Sequence, residues 1–188
     1  MCTLASVNKS TTCNVAGSIK RVLVLTSSTL TDATFTLGTV ANAFKVTAVT
    51  GTPPVYEVPF SKKLAAQASS VKNGKAYTHN VNVRIQSNEH PIFRDLDALQ
   101  DCCGYVVVVK DSAGAWFLLG ATIDRASNKL DIGEMDVTQA DFDTDSTLAG
   151  EAQGFTVAFN SEQMNCLMIP VASAAVTTLE GLIVAATP

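Results

Sequence analysis

The sequence predicts a mainly β domain: a sandwich or barrel of roughly nine to eleven strands, with one short α-helix at about 91–103 packed against it. Three observations lead there. Valine and threonine together number 42 of 188 residues, a strong tilt towards extended backbone. Short apolar runs recur along the chain between glycine and proline turns. The stretch 77–86 alternates almost without error, with His79, Val81, Val83 and Ile85 on one side and Thr78, Asn80, Asn82, Arg84 and Gln86 on the other.

In chain order, residues 1–18 are small and polar and read as an arm or an edge strand. Residues 19–26 form a strand rich in Val and Leu. Residues 31–37 alternate Ala33, Phe35 and Leu37 against Thr34 and Thr36, and Gly38 ends that strand. Another follows at 43–49. Gly51 and the pair Pro53-Pro54 mark a turn, and 55–60 is a short strand whose Pro59 places it at a sheet edge. Residues 61–75 read as a basic loop carrying Lys62, Lys63, Lys72 and Lys75, either a long hairpin tip or a short helix around 64–69.

Beyond the alternating strand, Ile92, Phe93, Leu96, Leu99 and Cys103 fall on one helical face. Pro91 suits a first turn, Asp95 and Asp97 suit its positive end, and Gly104 suits the stop. Residues 105–109 and 115–119 are strands joined by a turn at Asp111 to Gly114. Both faces of that hairpin are apolar. One face packs in the domain's own core, and the other needs cover from the helix or a neighbouring molecule. Residues 131–151 read as a long acidic loop, 155–159 as an alternating strand, 160–163 as a turn, and Glu180-Gly181 as a turn near the end.

Length fits one domain, 1–188, able to bury a sizeable core. Charged residues make up only 16%, against about 25% in typical soluble domains, which favours a subunit that buries surface in an assembly over a compact monomer. The net charge of −4 hides an asymmetry. All 13 basic residues lie at or before Lys129, whereas residues 130–188 hold nine acids and no base. Residues 1–6 lack the basic and apolar regions of a secretory signal. The longest uncharged stretch, 163–179, is interrupted by Asn165, Pro170 and Ser173, so no membrane partner is expected. Five cysteines without a C-x-x-C spacing read as reduced thiols, with Cys103 filling core space.

No constellation of residues specifies a reaction. The run Asp141-Phe-Asp-Thr-Asp145 has the look of a calcium loop, but that motif needs glycine at its sixth position and a carboxylate at its twelfth, where Ser146 and Ala152 stand. His79 and His90 lack zinc spacing to each other or to cysteine; His79 reads as a hydrogen-bonded core histidine. No nucleophile elbow, phosphate loop or dinucleotide fingerprint is present. The expectation is therefore no enzyme, cofactor or metal. An acidic chain with one Trp and three Tyr also argues against sequence-specific nucleic-acid binding.

The order of features at 77–86, 92–104, 105–120 and 154–169 resembles the tail-tube type of structural protein in tailed bacteriophages. That resemblance implies a virion protein assembled in the host bacterial cytoplasm, its subunits forming rings, typically hexameric, stacked into a tube. Its partners would be identical copies and other virion proteins, with DNA only as passing, non-specific cargo. The acidic set Asp131, Glu134, Asp136, Asp141, Asp143, Asp145 and Glu151 would line the lumen or an interface, and the lysine set would meet an acidic neighbour. A phage neck or capsid decoration protein, or a sandwich module binding glycan or protein, are the alternatives.

Overall fold

The computed structural model describes residues 19–31, 34–40, 43–58, 66–85, 104–124, 126–127, 129–143 and 154–184. These form thirteen strands and one α-helix, and no barrel closes among them. In chain order the strands are β1 (Arg21–Thr26), β2 (Phe35–Val40), β3 (Ala43–Val49), β4 (Tyr56–Glu57), β5 (Gln67–Asn73), β6 (Ala76–Ile85) and β7 (Tyr105–Lys110). Then come β8 (Trp116–Leu119), β9 (Ala121–Asp124), β10 (Lys129–Ile132), β11 (Asp136–Asp143), β12 (Gly154–Met164) and β13 (Ile169–Val171). The helix α1 (Ser173–Gly181) follows. The helix predicted at about 91–103 lies outside the described residues.

A seven-stranded sheet runs β2-β3-β13-β8-β7-β1-β4, and a four-stranded sheet runs β11-β12-β6-β5. The first is antiparallel except where β13 lies parallel to β3; the second is antiparallel throughout. Strands β9 and β10 make a separate two-stranded ribbon. Alternation along β1 and β7 divides the interior in two. Val22, Val24, Tyr105, Val107 and Val109 meet Val81, Val83, Val157 and Phe159 of the smaller sheet, with the Tyr105 and Phe159 rings edge to face at 5.7 Å. On the opposite face, Leu23, Leu25, Val106, Val108 and Leu118 pack with Ala175, Val176 and Leu179 of α1 and with Ile123 and Leu130 of the ribbon.

This arrangement corrects the expectation for the hairpin 105–119. Val106, Val107 and Val108 are all 0% exposed within a single chain. Its two apolar faces are covered by the smaller sheet on one side and by α1 with the β9–β10 ribbon on the other, so no neighbouring molecule is needed to bury it.

Gly120 makes the corner where the chain leaves the large sheet for the ribbon. Its φ of 79° is open to glycine, and a Cβ there would lie 2.9 Å from the Tyr105 carbonyl oxygen. Gly38, expected to end a strand, lies inside β2, because a side chain there would collide with Thr47 on β3. The turn expected at 160–163 is part of β12, whose pairing with β6 shifts between Ser161 and Met164. A short edge strand before Pro59 is found as β4, outermost in the large sheet. Arg21 of β1 holds it there, giving Glu57 two hydrogen bonds at 2.6 and 2.8 Å and reaching Glu180 of α1 as well.

Candidate functional site

The described parts of the two charged segments expected to be loops are largely strands. Residues 67–73 form β5, because Gln67 to Asn73 pair in continuous register with β6 through a two-residue turn at Gly74-Lys75. Residues 136–143 form β11, which pairs along β12 from Asp136 opposite Asn160 to Asp143 opposite Gly154. Carboxylates disguised this strand: aspartate is poor in strands by propensity, but apolar Val137, Ala140 and Phe142 stand opposite Phe159, Val157 and Phe155.

The acidic set is thereby dispersed. Asp131 is exposed on β10, and Glu134 lies in the link to β11, where it accepts a hydrogen bond from the Ser27 hydroxyl at 3.0 Å. Asp136, Asp141 and Asp143 lie along β11. Asp145 and Glu151 lie outside the described residues. Of the basic set, Lys72 is exposed on β5 and Lys75 in its turn; Lys62 and Lys63 lie outside the described residues. Lys75 of the basic set and Asp131 of the acidic set line one open groove, together with Asp124 and Asn165. A second groove gathers Glu134 and Asp136 with Glu162, an acid that the sequence reading passed over because it stood in an expected turn. Among the described residues, no three His, Cys, Asp or Glu side chains are grouped to hold a metal ion.

The four-stranded sheet has two contrasting faces. Among the described residues its inner face is mostly apolar, the buried polar groups being His79, Ser161 and the Ser70 hydroxyl. The His79 ring is fully buried; its Nδ1 accepts the Gly120 N–H at 3.3 Å and its Nε2–H donates to the Cys166 carbonyl at 2.9 Å. These two bonds fix the neutral tautomer, and burial pushes the imidazole below its ordinary pKa. His79 thus ties the small sheet to the Gly120 corner and to the chain after β12, as expected of a structural histidine.

By register the outer face carries rows of mostly polar residues, with the exposed Val71 opposite Thr78. One row by register is Asp136, Asn160, Asn80 and Ser69, in which the Asn160 amide donates to Asn80 at 2.6 Å. The next is Gln139, Ala158, Asn82 and Gln67; another runs Asp141, Thr156 and Arg84. Arg84 is the one basic residue in these rows. Both outermost strands, β5 and β11, are unpaired along their outer sides among the described residues.

Asn165 performs a different task at the ribbon. Its side chain accepts the Ile123 N–H at 2.9 Å and donates to the Ile123 carbonyl at 2.8 Å, standing in for a strand neighbour of β9. The chain matches no protein-family model, no curated protein and no solved structure.

Proposed function

We propose that this chain is a non-catalytic structural subunit that self-assembles into rings, stacked as a tail tube through which the DNA of a tailed bacteriophage passes. The observation that carries this reading is the outer face of the four-stranded sheet. A duct for DNA must not hold a polyanion, since each phosphate that meets a lysine or arginine adds to binding. Rows of amides and hydroxyls, whose charged members by register are Asp136, Asp141 and Arg84, support such a weakly holding wall. The low share of charged residues supports a surface partly covered by copies, now assigned to the sheet edges rather than to the self-covered hairpin.

Negative-stain microscopy of the purified full chain, with duplex DNA retention measured at low salt, tests the reading. Hollow rings or tubes that do not retain DNA support it. Rings that never stack move the protein to the neck of the virion. A solitary molecule at all concentrations overturns the reading and favours a binding module, although Tyr56 is the only large aromatic exposed among the described residues.

A further inference from the structure

We propose that α1 and the residues after it, 182–184, form a strap that closes the β4 edge of the large sheet, latched by Arg21 and able to open as one unit about Ala172. Closed, it keeps that edge and the apolar face beneath α1 out of reach of other chains.

Three observations carry it. First, the strap pairs with the chain that enters the edge strand. Val55 donates its N–H to the Leu182 carbonyl at 3.4 Å and accepts the Val184 N–H at 2.9 Å, a parallel bridge. Tyr56 and Val58 turn to β1 instead, so this bridge lies on the outward side of the edge. Both backbone groups of the buried Val55 are thereby satisfied by the strap, and no other strand can pair with them while it is closed.

Second, the root of the strap is firm and the strap itself is lightly held. Strand β13 sits between β3 and β8, and the Ala172 N–H donates to the Val46 carbonyl at 2.8 Å. Beyond Ala172 the buried side chains are Ala175, Val176 and Leu179, with Leu182 and Ile183 partly buried. No side chain caps the start of α1, and no acid stands in its first turn. An element with so few buried groups lies at the low end of local stability.

Third, the latch is ionic and centred on one side chain. Among the described residues both ion pairs belong to Arg21, which joins Glu57 of β4 to Glu180 of α1. Glu180 stands in the last turn of α1, at the negative end of the helix dipole, where α1 has no basic residue to answer it. Arg21 supplies that charge from β1, with its guanidinium held 5.6 Å from the centre of the Trp116 ring. The three charged side chains are between 28% and 38% exposed, so dissolved salt competes with the latch.

Hydrogen exchange of the full chain, followed by mass spectrometry, tests the strap segment by segment. Peptides covering 173–184 and 53–58 should exchange together and ahead of 105–110 in the buried strand β7. Arg21→Gln should speed the first two by roughly tenfold and leave 105–110 at its original rate. Raising NaCl to about 1 M, where the screening length falls to about 3 Å, should speed the same two segments in the unsubstituted chain but not in Arg21→Gln. Val184→Pro, which removes the N–H given to the Val55 carbonyl, should speed 53–58 with Arg21 in place. Exchange of 173–184 as slow as that of 105–110 overturns the strap. Equal acceleration of all three segments by Arg21→Gln, or strap exchange indifferent to salt, overturns the latch. If Arg21→Gln does not fold, the salt series on the unsubstituted chain decides.

Discussion

Replacing Gly120 with alanine perturbs the point where both sheets and the ribbon meet. The residue is buried, with φ at 79°, a conformation costing an L-residue about 1–2 kcal/mol. The added methyl would lie 2.6 Å from Met135 Cγ, 2.9 Å from the Tyr105 carbonyl oxygen and 3.2 Å from that of Gly133. Met135 can turn aside, but the Tyr105 carbonyl is held by the Met135 N–H at 2.8 Å and cannot retreat freely. Overpacking of this kind costs about 1–3 kcal/mol. Together the two effects destabilise the fold by about 3 kcal/mol, which at this chain length lowers Tm by roughly 6–12 °C. Urea denaturation followed by tryptophan fluorescence reports the change through Trp116, which lies in the core beneath α1. A loss under about 0.5 kcal/mol, the range of neutral surface changes, would refute the corner as described.

Other perturbations follow from the same geometry. Asn165→Ala removes both bonds to Ile123 and should cost about 1–2 kcal/mol in urea unfolding, and Asn165→Asp, which keeps the acceptor but sets a second carboxylate oxygen against the Ile123 carbonyl, should cost at least as much. His79 is neutral when folded, with its pKa held below the ordinary value by burial, while the unfolded chain titrates near about 6.5. Its contribution is complete well above that pH and is lost as pH falls towards the folded pKa, so urea midpoints should drop as pH falls below about 6.5. His79→Gln should flatten that slope; an unchanged slope would show that another group sets it. Neutralising Asp136, Asp141 and Asp143 together to Asn should leave the fold intact and raise the retention of duplex DNA on assembled material, measured by filter binding across a salt series.

How much of this was legible depended on whether a strand wears its pattern openly. Strand β6 did: Val81 and Val83 are buried and Asn82 exposed, as alternation requires. The β7–β8 hairpin did too, since Asp111 closes its turn by accepting the Ala115 N–H at 2.8 Å and Gly114 takes a φ of 89°. Strand β11 was hidden, because its aspartates resemble a solvated loop and its partner strand is what orders it. Helix α1 was hidden for the opposite reason. Ala175, Val176 and Leu179 have helical spacing, but β-branched Val176, Thr177 and Thr178 carry strand propensity, and no side chain caps its start. The spacing from Ala175 to Leu182 was the signal available. Cover for the hairpin was misjudged because sequence shows an apolar face without showing what packs on it. The acidic and basic sets were visible as composition, but only the strand register turns them into two opposed edges of one sheet.

The most direct test is the mass of the unsubstituted full chain in solution, measured by light scattering across a dilution series. Self-association through the sheet edges requires a species several times heavier than 19.7 kDa that dissociates on dilution. A single 19.7 kDa species at every concentration would contradict it.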